Sequence, residues 1–183
     1  NRWRIHKVLS TPDNPAKAIL QGIDELGLSE DAKSGSLCIV HGSTVATNAA
    51  LERKGAKTVY IANKGFKDVL TIGRQARQAL YTLNAKPPVP PVPRELCLEV
   101  DCRRDSQGKR IKALSTESLE ELVEQVRALK PDAVAINLLF SFLDDKEEKI
   151  IQSALQEDYF TSRSSLVLPK YKEYERGMAT WLN

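Results

Sequence analysis

Hydrophobic positions along this chain change rhythm from block to block, and each rhythm predicts an element. Trp3 to Leu9 is short and mixed and reads as a strand. Asn14-Pro15 then signals a helix start, because Asn caps and Pro suits the first helical position, where its missing N–H costs nothing. Ala16, Ile19, Leu20, Ile23 and Leu26 make one apolar helical face, and Gly27 ends it. Leu37-Cys38-Ile39-Val40 is a continuous apolar run, as in a strand buried on both faces, which makes Cys38 a core thiol. His41-Gly42-Ser43-Thr44 breaks the run. Val45 to Arg53 reads as a helix with Val45, Ala46, Ala49 and Ala50 inward, and Gly55 closes it. Thr58 to Ala62 is the next strand, so this strand–helix–strand unit predicts a parallel pair.

Beyond Asn63 the pattern loosens. Phe66 to Ile72 reads as one helical turn and a short strand, and Pro87 to Pro93 as an extended polyproline connector. Leu96–Cys102 and Lys109–Ala113 read as a hairpin around Asp105-Ser106-Gln107-Gly108. Ser115 to Lys130 is the clearest helix, with a stripe of Leu119, Leu122, Val123, Val126 and Leu129 and acids outside. Asp132 to Leu139 reads as a strand, Asp144 to Gln156 as a helix, Ser164 to Leu168 as a strand, and the chain from about Tyr171 as a helix. The order predicts an α/β fold with a mostly parallel or mixed sheet and flanking helices, a single domain over residues 1–183. The last helix carries Met178, Trp181 and Leu182 as an apolar face awaiting cover. With a first strand that starts at once, this reads as a piece of a longer protein.

Composition narrows the function. The 183 residues are ordinary globular stock, 42% hydrophobic and 28% charged. A net charge of +3 from 27 basic and 24 acidic residues leaves no footprint for nucleic acid. No apolar run approaches the ~20 residues of a membrane span. Asn1 to His6 has no apolar region behind its charges and is not read as a signal peptide. Cys38, Cys97 and Cys102 lack Cys-x-x-Cys spacing, and with only His6 and His41 no metal site is expected. Reduced thiols point to the cytoplasm.

The candidate chemistry gathers where a buried strand runs into glycine and hydroxyl residues that open a helix. His41, Gly42, Ser43, Thr44, Thr47 and Asn48 form that stretch. Free N–H groups at the positive end of a helix suit a phosphate or a substrate oxygen. From the pattern alone, a hydroxyl that merely caps the helix is the commoner explanation of Ser43 or Thr44. No Gly-Lys-Ser/Thr follows, so it is not a P-loop. Arg74, beside Gly73, is either an anion clamp or a solvated surface charge. Tyr171 to Arg176 reads as a charged, solvated helix start. No catalytic residue is assigned.

Taken together, His41-Gly42-Ser43-Thr44-Val45-Ala46-Thr47-Asn48-Ala49, Leu51-Glu52-Arg53-Lys54-Gly55-Ala56 and Lys64-Gly65-Phe66-Lys67-Asp68-Val69-Leu70 resemble the hydantoinase/oxoprolinase family. Ile72-Gly73-Arg74-Gln75, Leu80-Tyr81, Leu168-Pro169 and Glu173-Tyr174-Glu175-Arg176 follow in the family's order. The likeness is to the N-terminal region of its A-type subunits, as in N-methylhydantoinase, 5-oxoprolinase and acetone carboxylase. It implies a lobe of the actin and sugar-kinase-like (ribonuclease H-like) fold. It also implies ATP and Mg in the full-length protein and ATP-dependent opening of a cyclic amide, in which phosphate makes the ring carbonyl a better electrophile. The family's Gly-Gly-Thr-Phe-Thr-Asp phosphate loop is not in this sequence, so the piece alone is expected to be inactive and to hold no cofactor tightly. The implied partners are a small cyclic amide and a B-type subunit or domain, with a homo-oligomer left open. An acetone-carboxylase-type subunit and a non-catalytic assembly domain are the alternatives.

Overall fold

The computed structural model describes residues 3–11, 13–40, 42, 55–76, 81 and 89–183. Chain contacts divide it into two compact units, residues 1–44 and 45–183.

In the first unit, α1 (Pro15–Glu25) begins as its sequence predicts. Asn14 accepts a hydrogen bond from the Ala16 N–H, and Pro15 occupies the first turn. Gly27, at φ 71°, turns the chain toward α2 (Ser29–Lys33). Ile19, Ile23 and Leu26 are half-buried, but Leu20 is exposed, so the apolar face is narrower than the periodicity implied. Two strand expectations are corrected here. Neither Trp3 to Leu9 nor Leu37 to Val40 is a strand, Val40 is 93% exposed, and Cys38 is exposed rather than a core thiol. An apolar run becomes a strand only when a neighbour takes its backbone groups, and among the described residues these segments have no ladder partner.

The second unit is built on a four-stranded parallel sheet. Its strands are β1 (Thr58–Asn63), β2 (Cys97–Val100), β5 (Ala133–Asn137) and β6 (Phe160–Arg163), ordered β2-β1-β5-β6. β1 pairs Tyr60 with Cys97 on one side and with Ala135 on the other. Alternation then separates two cores. Val59, Ile61, Val134 and Ile136 face Leu122 and Val126 of α4 (Thr116–Leu129) and Ile151 and Leu155 of α5 (Lys146–Leu155). Tyr60, Ala62 and Ala135 face Leu70 of α3 (Val69–Ile72), with Tyr174, Met178 and Trp181 of α7 (Glu173–Leu182) packed against them. Every residue of β1 is buried, which explains its uninterrupted apolar reading.

Several boundaries shift. β2 joins the main sheet. The hairpin is instead β3 (Arg103–Arg104) with β4 (Arg110–Lys112), closed by Asp105 accepting from the Gln107 and Lys109 N–H groups. The strand expected at Ser164–Leu168 is a helical turn, α6 (Ser164–Val167), and β6 lies just before it. Pairing decides this: Ala133 to Ile136 take Phe160 to Arg163 as partners. Met178 and Trp181 are partly buried in the second core rather than open, whereas Leu182 is exposed. The helix expected at Val45–Arg53 lies outside the described residues.

Candidate functional site

The chain begins its sheet at β1, steps outward to β2, then crosses back to β5 and on to β6. The carboxyl ends of β1 and β5 therefore flank the point where the crossovers part, the usual place for ligands in such sheets. Each of these strands ends in an asparagine that binds loops together. Asn63 Nδ2 donates to the Cys102 carbonyl at 2.6 Å, and its Oδ1 accepts from the Leu139 N–H at 2.7 Å. Asn137 Nδ2 donates to the Tyr60 hydroxyl at 2.7 Å and to the Glu173 carbonyl at 3.0 Å.

Charged side chains complete the lattice. Arg176, wholly buried, donates to Asn137 Oδ1 at 3.1 Å, to the Lys170 carbonyl at 3.1 Å and to the Leu138 carbonyl at 2.6 Å. Its guanidinium lies 5.4 Å from the Phe142 ring centre. Burial disfavours its charge, while Glu148 and Glu173 favour it. Glu148, also wholly buried, accepts from the Leu138 N–H, the Ser164 hydroxyl and the Ser165 N–H at 2.9, 2.6 and 2.9 Å. The two peptide groups of Leu138 thus tie a carboxylate to a guanidinium. Gly177 makes room for this arrangement, since a Cβ there would stand 2.8 Å from both Asn137 Nδ2 and the Tyr60 hydroxyl.

Arg104 forms a second lattice. It bonds Glu147 at 2.7 and 2.8 Å, Asp144 at 2.8 Å and the Gly108 carbonyl at 2.8 Å. Beside it is a shallow cleft of about 230 Å³, much of it open to solvent, lined by Asn63, Arg104, Ser141, Asp144 and Glu147 among others. Burial pushes the Cys102 thiol in this wall up to about 12 and the Cys97 thiol up to about 11, so both are inert. Among the described residues no cluster of three metal-ligating side chains exists. No described helix is long and apolar enough to cross a membrane.

Of the residues singled out by sequence, His41, Ser43, Thr44, Thr47 and Asn48 lie outside the described set. Gly42 is exposed, with no described atom within 4 Å of where its Cβ would stand. Arg74 is placed: its Nε donates to Glu175 Oε1 at 3.0 Å, and its guanidinium lies 5.9 Å from the Tyr174 ring centre. The expectation of a solvated helix start at Tyr171 to Arg176 fails at Arg176, whose three acceptors hold it inside. Sequence reading missed Asn63, Asn137, Arg104 and Glu148, and it missed the burial of Arg176. A signal existed in Asn63 and Asn137, polar residues closing apolar strands.

Comparison with known proteins matches residues 1–159 to the family described as "Hydantoinase/oxoprolinase N-terminal region". The chain is 33% identical to 5-oxoprolinase 1 of Arabidopsis thaliana over 75% of its length and 12% of that protein's. It is 28% identical to the acetophenone carboxylase gamma subunit of Aromatoleum aromaticum, over 91% of this chain and 25% of that one. It is 29% identical to the caprolactamase alpha subunit of Pseudomonas jessenii, over 98% of this chain and 27% of that one. The crystal structure of that organism's ATP-dependent caprolactamase superposes with a TM-score of 0.80 at 29% identity, over 95% of this chain and 27% of its own. A nucleotide-free acetone carboxylase shares the fold, with a TM-score of 0.78 at 22% identity over 96% of this chain and 28% of its own. The chain therefore spans about a quarter or less of these relatives.

Proposed function

The chain belongs to the hydantoinase/oxoprolinase family, in its N-terminal region, and from that premise we propose that it is part of an ATP-dependent hydrolase of cyclic amides, of the hydantoinase or 5-oxoprolinase type. The observation that carries this reading is the match over residues 1–159, supported by likeness to 5-oxoprolinase 1 and to the caprolactamase alpha subunit. An amide carbonyl is a poor electrophile, and a phosphoryl group on its oxygen repairs that. Such transfer depends on positioning and charge stabilisation.

ATP and Mg belong to this proposal for the whole protein. The described strand ends do not fit a triphosphate: the donors of Arg104, Arg176 and both asparagines are already engaged with protein oxygens. Their work is to fix the loops after β1 and β5. We place the protein in the cytoplasm, with its free thiols in support. We also assign it a B-type partner subunit, because its relatives include proteins named as gamma and alpha subunits. A carboxylase-type subunit is the second reading, favoured by the acetophenone carboxylase match. A domain that only docks a partner subunit is the non-catalytic version of it.

An ATPase assay of the whole protein decides among these. Oxoproline, hydantoin, caprolactam, acetone and acetophenone with bicarbonate are offered in turn, and ADP is measured. ADP release with a cyclic amide is expected, and release only with a ketone selects the carboxylase reading. No release with any of them leaves the docking role. The isolated 183-residue chain is expected to release none, because it spans about a quarter or less of its relatives. Turnover by it at the whole protein's rate refutes that.

A further inference from the structure

Two short segments 101 residues apart meet at one place on the second unit, the turn after α3 and the first turn of α7. Gly73 ends α3 at φ 56° and ψ −144°, a backbone region open essentially to glycine. That conformation lays the turn on α7, so that a Cβ on Gly73 would touch the Tyr174 ring at 3.7 Å. Arg74 then runs along the same ring, and its Nε meets Glu175 Oε1 at 3.0 Å. Arg176, the next residue, is the buried staple that fixes α7 to the end of β5. The helix under Arg74 is therefore anchored, and the arginine has a ring as floor and a carboxylate as side wall.

Glu175 uses the Nε edge. The two terminal nitrogens, the fork that matches a carboxylate or a phosphoryl group, lie outside that bond. Arg74 is 69% exposed along its side chain, so an incoming group reaches the fork without unfolding anything. For stability alone, an ion pair this open contributes little. A glycine-only turn, an aromatic floor and an orienting carboxylate are more apparatus than such a pair needs.

We propose that Arg74, oriented by Glu175 and Tyr174, receives one anionic oxygen group of the substrate: its carboxylate, or the phosphoryl group placed on its amide oxygen. The proposal rests on the cyclic-amide reading for its ligand, and Glu175 is a positioning residue in it. Where the bound group is the carboxylate, carboxylate-bearing rings are bound more tightly than neutral rings of the same size.

The test measures binding to the whole protein without ATP, so its outcome is separate from whether any substrate is turned over. The probes are 5-oxoproline, inorganic phosphate and hydantoin, the last being a neutral ring. Arg74→Lys is expected to weaken at least one anionic probe about tenfold or more while leaving hydantoin unchanged. Glu175→Ala, which frees the arginine to wander, is expected to weaken the same probe about threefold or more. Glu175→Gln keeps the acceptor oxygen and removes the competing charge, so it restores wild-type affinity or exceeds it. Weakening for 5-oxoproline identifies the carboxylate as the bound group, and weakening for phosphate alone identifies the phosphoryl group. Four results overturn the proposal: no saturable binding of either anion to the wild type, no anionic probe weakened by Arg74→Lys, an equal loss for hydantoin, or Glu175→Gln as weak as Glu175→Ala. Absence of ADP release in the turnover assay refutes the cyclic-amide reading and leaves these binding results standing.

Discussion

Arg74 and Arg176 meet the same turn of α7 and are used in opposite ways. Arg176 has no surface left and donates to two carbonyls and an amide oxygen, none of which titrates. Arg74 stands mostly in water and donates to a carboxylate. Inside, a charge without its bonds is costly, so Arg176 is bound to the geometry of β5 and the loop after it. Outside, water screens the pair and the fold gains little, which leaves Arg74 free to serve a ligand. Glu175, which holds Arg74, and Arg176, the next residue, thus divide between facing what approaches the sheet end and holding that end.

The sharpest way to break this comparison is to neutralise each arginine in turn. Arg176→Met fills similar space but leaves the buried Leu138 carbonyl and Asn137 Oδ1 unpaired, while the carbonyl of the exposed Lys170 can turn to water. At about 1–3 kcal/mol for each buried unsatisfied group, the loss should be about 2–6 kcal/mol. Arg74→Met should cost less than about 1 kcal/mol. Denaturant midpoints of the two variants of the whole protein give the ratio. Equal losses show that the exposed pair is structural after all.

A smaller effect sharpens the buried side. Gly177→Ala places a methyl group 2.8 Å from Asn137 Nδ2 and the Tyr60 hydroxyl, and 3.1 Å from Leu70. In an open helix this substitution gains up to about 1 kcal/mol from propensity. Here overpacking, at about 1–3 kcal/mol, and a disturbed Asn137–Tyr60 bond outweigh it. A net loss of about 1–2 kcal/mol is expected, read again from the denaturation midpoint. A gain in stability means that the lattice around Arg176 is slack.

How much of this could be read in the sequence depends on what fixed each element. α4 was legible because its stripe of leucines and valines and its Ser115 cap are local. β1 was legible because burial on both faces leaves an apolar run. β6 was not, since Phe160-Thr161-Ser162-Arg163 looks less like a strand than Ser164 to Leu168 does, and only pairing with β5 selects it. Cys38 was read as core from its neighbours' hydrophobicity, which cannot tell whether a partner strand is present. Of the candidate site, the sequence supplied Arg74 and the Glu173-Tyr174-Glu175-Arg176 segment. Their meeting depends on a turn at Gly73 whose angles no local rule supplies. Arg176 was missed because a charged residue among charged residues reads as solvated until its acceptors are seen.

The smallest expected effect separates the two arginines by pH. The Glu175 carboxyl is held below its ordinary value, first by a hydrogen bond to its own backbone N–H and then by Arg74. A carboxyl whose folded value is lowered stabilises the fold above its unfolded value, and that contribution disappears as pH falls through the folded one. The difference in midpoint between wild type and Glu175→Gln should therefore be small and level from neutrality down to about pH 5, and should shrink below about pH 4. Added salt should shrink it further, because the carboxylate is within reach of water. The direct bonds Arg176→Met removes run to carbonyl and amide oxygens, so its deficit should persist across the same range and resist salt. Midpoints of the three proteins between pH 3.5 and 7, at low and high salt, decide the matter. A Glu175→Gln difference that stays level to the acid end, or one that salt leaves untouched, means that the Arg74 pair is sealed from water and that the division between the two arginines is wrong.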